Sequence, residues 1–282
     1  MQFGVNTWVW ISPTTTESFE EYVPKVKGMG FDLIEFAIED TTVIDYAKAA
    51  AVLKDHDMAV SVCVAMGPDR DLIIDDEAIQ QNGMAYLKHC IDACAIVGAK
   101  NLVGPIYSAV GRVWEQTPDS RKRDSDLLVK QLSELANYAG DKGVKLGVEP
   151  LNRFETSFLN TAAQTIEIID RVDHPACKIM LDSFHMNIEE KSLGDAIRAT
   201  GDRLVHFHSC ENDRGAPGSG NVGWNEVAQA LKEINFEGPV VIESFTNKVK
   251  SIARAAAIWR PFESSQDALA ENGLAYLKRL LA

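Results

Sequence analysis

Eight short apolar runs alternate with helix-length amphipathic segments along the whole chain, and this alternation constrains the fold more than any other feature. The runs are Phe3–Trp8, Leu33–Ala37, Ala59–Met66, Asn101–Gly104, Lys145–Glu149, Lys178–Asp182, Leu204–His208 and Pro239–Glu243. Each is too short for a helix and reads as a buried strand. Between them, Phe19–Met29, Ala78–Val97, Leu127–Lys142 and Thr161–Val172 carry apolar residues at helical spacing, and Asp267–Leu281 reads as a terminal helix. Gly30, Gly98 and Gly143 each stand just ahead of the next strand, where a left-handed helix C-cap is expected. Eight β–α cycles without a polar linker predict one domain over residues 1–282, a closed (β/α)8 TIM barrel, and the 282 residues suit a fold of about 250. An open doubly wound sheet is the competing arrangement.

A barrel of parallel strands directs its C-terminal strand ends into one shared pocket. Three of the runs end in Glu149, Asp182 and Glu243, and a fourth carries His206 and His208. The two histidines alternate along one strand and point to the same face, so either can join the carboxylates. Three carboxylates and an imidazole brought together repel one another without a cation. The set suits one oxygen-preferring divalent ion, Mn²⁺, Co²⁺ or Mg²⁺, better than a structural zinc. His185, three residues after Asp182, and Asn152, Arg153, Glu155 and Arg214 are further polar candidates. Each reads equally as a solvated loop group unless the metal lies beside it. Cys63 has no base near it in sequence and reads as packing. Trp8, Trp10, Tyr107 and Trp114 could wall a sugar or fill the core. The loops Gly67–Asp76, Gly104–Asp119 and Cys210–Trp224 are long for α/β connections and follow strand ends. Gly215–Gly223 is too irregular for a phosphate-binding fingerprint.

Composition narrows the partners. Forty-one acidic against 28 basic residues give a net charge of −13, which argues against nucleic acid. No apolar stretch reaches membrane-spanning length. The five cysteines are odd in number and lack CxxC spacing, and Met1–Val5 runs directly into a strand, so reduced thiols and a cytoplasmic location are expected.

Six stretches resemble the ketose 3-epimerases, typified by D-tagatose and D-allulose (psicose) 3-epimerase, within the xylose-isomerase-like TIM barrels. They are GFDLIEF (Gly30–Phe36), VEPLNRFE (Val148–Glu155), LDSFHMNIEE (Leu181–Glu190), HFHSCENDR (His206–Arg214), VVIESF (Val240–Phe245) and IWR (Ile258–Arg260). The resemblance implies a metal on Glu149, Asp182, His208 and Glu243, choosing the second histidine. It makes Glu149 and Glu243 the acid–base pair and assigns Glu155, His185 and Arg214 to O1–O3 of the ketose. It further implies Mn²⁺ first, with Co²⁺ or Mg²⁺ as substitutes, and a homodimer or homotetramer. The chain departs from the family pattern at Pro150, at Ser244 where the family has proline, at Asn6, and through GPIYSAVGRVW near the fourth strand. These changes bear on the sugar and on contacts beyond C3.

The implied chemistry is proton removal beside a carbonyl, on a free ketose of the tagatose, fructose, allulose or ribulose type. A divalent cation stabilises the enediolate charge, and two carboxylates work on opposite faces of C3. An aldose–ketose isomerase of the hydroxypyruvate type would move the proton between C1 and C2 on the same barrel. The α-subunit of a C-glycoside-cleaving enzyme would need a small partner protein. A sugar-binding barrel would not need two carboxylates on one metal.

Overall fold

The computed structural model describes residues 1–281, and Ala282, the last residue of the expected domain, lies outside them. The strands are β1 (Gln2–Asn6), β2 (Leu33–Ala37), β3 (Ala59–Cys63), β4 (Asn101–Gly104), β5 (Lys145–Val148), β6 (Cys177–Asp182), β7 (Leu204–Ser209) and β8 (Pro239–Ile242). They close into one parallel barrel in sequence order. Closure is the pairing of β1 with β8, in which Phe3 faces Val240, and it excludes the open doubly wound sheet. The helices are α1 (Thr16–Gly28), α2 (Tyr46–Asp55), α3 (Glu77–Val97), α4 (Pro118–Asp141), α5 (Ala162–Val172), α6 (Ser183–Glu189), α7 (Leu193–Thr200), α8 (Trp224–Glu233), α9 (Lys250–Ala255) and α10 (Gln266–Leu281).

Local chemistry sets the element ends. Thr161 caps α5 by accepting from the Gln164 amide, and the Gln164 side chain answers the Thr161 amide, a reciprocal capping box. Its buried positions, Thr165, Ile168, Ile169 and Val172, fall at three- and four-residue spacing and cover the barrel wall. Gly30, Gly98 and Gly143 adopt φ of 89°, 83° and 70°, as the sequence predicts for residues that turn a helix into a strand. Among the described residues, no helix is long and apolar enough to cross a membrane.

β5 and β8 stop one residue earlier than the apolar runs suggest, and β1 and β3 stop two and three residues earlier. β1 ends at Asn6 because its side-chain oxygen accepts the Trp8 amide at 2.8 Å and starts a 3-10 turn over Thr7–Val9. β3 ends at Cys63, one residue before the chain passes against Gly104 of β4. There φ is +131°, and a Cβ would lie 2.1 Å from the Val64 carbonyl oxygen. Gly104→Ala combines a glycine-only backbone with a direct clash and should lower stability by about 3 kcal/mol. Gly143→Ala, at φ +70° with open space around it, should lower it by about 1 kcal/mol. Urea unfolding of the two variants measures this, and equal losses would contradict the close approach.

Candidate active site

The C-terminal rim of the barrel gathers the expected residues. Asp182 ends β6 and lies opposite His208 of β7 in the register, while Glu149 and Glu243 are the first residues beyond β5 and β8. All four are buried. Asp182 is held by two functions of one oxygen: Oδ1 accepts the Phe184 amide at 2.7 Å, capping α6, and the Cys210 thiol at 3.0 Å. Oδ2 is left for Arg214, whose Nη1 lies 2.6 Å away and also 2.7 Å from Glu243 Oε2. His208 Nδ1 stands 3.4 Å from Glu243 Oε1. One ligand atom each from Asp182, His208 and Glu243 lie within 4.8 Å of one another, and so do those of Glu149, Asp182 and His185. Asp182 therefore joins two overlapping triads.

The polar candidates of the two following loops divide. The Asn152 amide donates to His185 Nδ1 at 3.0 Å, while Arg214 Nη2 lies 3.2 Å from Nε2, which stands 3.6 Å from Glu149 Oε1. Burial, and then the neighbouring Arg214, push this imidazole down to about 3, so it stays neutral. Asn152 Nδ2 donates to Glu155 Oε1 at 2.8 Å and ties that carboxylate to the same corner. Arg153 instead pairs with Glu189, its Nε 2.9 Å from Glu189 Oε1, away from the cluster. Arg214 adopts φ +68° and lays its guanidinium 3.9 Å above the Phe184 ring.

Residues 23–280 match the xylose isomerase-like TIM barrel family. D-psicose 3-epimerase of Agrobacterium fabrum is 34% identical, covering 100% of this chain and 99% of its own. The ketose 3-epimerase of Arthrobacter globiformis is 31% identical over 99% of this chain and 96% of its own. The chain belongs to the ketose 3-epimerases. It is thus an enzyme of the isomerase class. The solved structure of D-allulose 3-epimerase from Methylomonas sp. in complex with D-allulose superposes with a TM-score of 0.93 at 30% identity, covering 99% of this chain and 96% of that one.

Two residues that shape this ketose 3-epimerase site, Glu35 and Glu211, were not singled out from sequence, and Ser244 was named there only as a departure from the family pattern. Glu35 of β2 is fully buried beneath the rim, and its signal was an acid inside an otherwise apolar strand, LIEFA. Glu211 organises the loop after β7: its Oε1 accepts from the Gly218 amide at 2.7 Å and from Trp224 Nε1 at 2.6 Å, and its Oε2 accepts the Val222 amide at 3.2 Å. Ser244, one of the departures from the family pattern, donates from Oγ to the Arg214 carbonyl at 2.7 Å and so holds that residue's unusual backbone. Of the four aromatics, Trp8 packs 5.4 Å from Phe245, next to Arg214. Trp10 is engaged by Asp267, Tyr107 is fully buried core, and Trp114 stacks on Phe158.

The two glutamates sit in opposed electrostatic surroundings. Burial, then Glu243 and Asp182, push the Glu149 carboxyl well above the usual range. Burial acts upward on Glu243 too, but His208 and Arg214 outweigh it and lower that carboxyl. A carboxyl raised in the folded state favours folding fully below its unfolded value of about 4.3, and that contribution is lost as pH rises toward the folded value. Metal-free protein should therefore lose stability through this group as pH rises above about 4.3, whereas Glu149→Gln should not. The variant's advantage should grow from pH 4.5 to 8 in urea unfolding with chelator present. An advantage that is flat or reversed would contradict the placement of Glu149.

Proposed function

We propose that the protein epimerises C3 of a free ketose with one divalent cation held by Glu149, Asp182, His208 and Glu243. The observation that carries this reading is the pair of triads sharing Asp182, with Glu149 on one side and Glu243 on the other. The residues fit a cation: His208 Nδ1 is buried without a hydrogen-bond partner and faces Glu243 Oε1, and three carboxylates supply oxygen donors around it. One imidazole with three carboxylates suits Mn²⁺ best, with Co²⁺ or Mg²⁺ as substitutes. When bound, the cation supplies Lewis acidity for negative charge developing on the substrate oxygens.

The chain's own side chains carry the proton. Glu149 and Glu243 flank C3, so one removes the proton and the other returns it to the opposite face, and they exchange roles for the other epimer. Their opposed surroundings support one ionised and one protonated partner at the start. His185, Glu155 and Arg214 orient O1–O3. A neutral His185 reaches the sugar without adding charge. The buried rim excludes water that would compete for the proton.

An unphosphorylated ketose suits the loop after β7. The Gly218 and Val222 amides, which a phosphate cradle would need, are already taken by Glu211. The D-allulose bound to the Methylomonas relative accords with a free sugar of the tagatose, fructose, allulose or ribulose type. The five free, buried cysteines accord with a cytoplasmic setting. Phe154 and Trp259, 73% and 75% exposed, accord with a homodimer or homotetramer.

Glu149→Gln and Glu243→Gln each keep the side-chain shape but remove proton transfer. Each should lower kcat by about 10²–10⁴-fold in both directions. Chelation should abolish activity and Mn²⁺ restore it. Turnover in a demonstrably metal-free preparation, or a glutamine variant as fast as wild type, would overturn the reading.

A further inference from the structure

Below the rim, the barrel interior holds a buried polar belt that the reaction itself does not use. Asn6 of β1 pairs in register with Glu35 of β2, and Glu35 with Ser61 of β3, so the three side chains lie at one height across adjacent strands. All three are buried at 1% exposure or less. Glu35 Oε1 receives Asn6 Nδ2 at 2.9 Å and His208 Nε2 at 2.6 Å, while Oε2 receives the Ser61 hydroxyl at 2.7 Å. His206 Nε2 also lies 3.0 Å from Oε2, but off the line that a hydrogen bond needs.

The direction of these bonds follows from a backbone group. The Trp8 amide can only donate, and it donates to Asn6 Oδ1 at 2.8 Å. That settles which end of the Asn6 amide is oxygen, so its nitrogen faces Glu35 and donates. Glu35 Oε1 is thus an acceptor toward Asn6. With Ser61 donating to the other oxygen, the carboxylate meets His208 as an acceptor as well. His208 must then carry its proton on Nε2, and a neutral ring keeps its lone pair on Nδ1. Nδ1 is the nitrogen that faces Glu243 and lacks a hydrogen-bond partner.

We propose that Glu35 is a positioning residue: it sets the tautomer and ring orientation of His208 so that Nδ1 is presented to the divalent cation. Asn6 and Ser61 hold Glu35 in turn, so the 3-10 turn after β1 reaches the metal centre through three hydrogen bonds. This inference rests on the cation reading of the site. It adds a residue that touches neither metal nor substrate. A carboxylate behind a ligating imidazole raises its basicity and fixes its aim, and its loss typically weakens metal binding by about 10–100-fold. A glutamine at position 35 keeps its oxygen toward Asn6 and His208 but lacks the charge, so the imidazole becomes less basic and is aimed less firmly at the cation.

The test compares wild type with Glu35→Gln by calorimetric titration of Mn²⁺ into metal-free protein, after circular dichroism shows that both are folded. Glu35→Gln should weaken Mn²⁺ binding by about 10–100-fold. The KM for the ketose at saturating Mn²⁺ should stay close to wild type, which a general loosening of the barrel would not produce. Equal Mn²⁺ affinity in the two proteins would overturn the role of Glu35. Absence of Mn²⁺ binding in wild type would instead overturn the cation reading itself. Should the variant not fold, ¹H–¹⁵N spectra of wild type loaded with Mg²⁺ or Zn²⁺ decide the matter. A proton on His208 Nε2 and a metal-shifted Nδ1 support the proposal, and metal on Nε2 contradicts it.

Discussion

Four carboxylates, Glu35, Glu149, Asp182 and Glu243, are buried within one barrel, and their mutual repulsion is the constraint around which the rest is arranged. Two like charges about 5 Å apart at an effective dielectric of about 20 repel by about 3 kcal/mol, so such a cluster persists only when each charge is answered. The barrel answers them separately. Glu35 takes hydrogen bonds from Asn6, Ser61 and His208. Asp182 and Glu243 share the Arg214 guanidinium. Glu149 has His185 as a distant neighbour and is driven toward the protonated form by burial and by the other carboxylates. The same imbalance that makes the site costly without a cation makes it a place where one binds and a proton moves.

The loops beyond the strands serve that arrangement. Arg214 reaches the carboxylates from a left-handed backbone, held on one side by the loop that Glu211 organises and on the other by the Ser244 hydroxyl. The Ser244 hydroxyl thus bonds the carbonyl of a substrate-binding candidate. His185 is delivered by α6, whose cap is Asp182 itself, so one carboxylate sets both its own aim and that of its neighbour.

Much of this was legible in the sequence because the strand period and the barrel topology reinforce each other. Apolar runs four to eight residues long, separated by helices, leave few ways to fold, and polar residues at the ends of the later runs must meet at the rim. That reasoning reached Glu149, Asp182 and Glu243 directly. It left His206 and His208 undecided, since both face inward on one strand and both approach Glu35, and the contact of His208 with Glu243 separates their roles. Glu35 escaped because it sits in mid-strand, where an acid contradicts the pattern used to find strands. Glu211 escaped because its partners are backbone amides up to 11 residues away, which no spacing rule announces. The short helix α6 was hidden by its length, since its seven residues carry too little periodicity to read.

The central claim is that two glutamates exchange a proton at C3, and the position of isotope tests it most directly. Wild-type protein loaded with Mn²⁺ and given a free ketose in D₂O should yield the C3 epimer carrying deuterium at C3 and none at C1, read by NMR after removal of the metal. Deuterium at C1 together with an aldose product would contradict the account, because the proton would then be moving between C1 and C2.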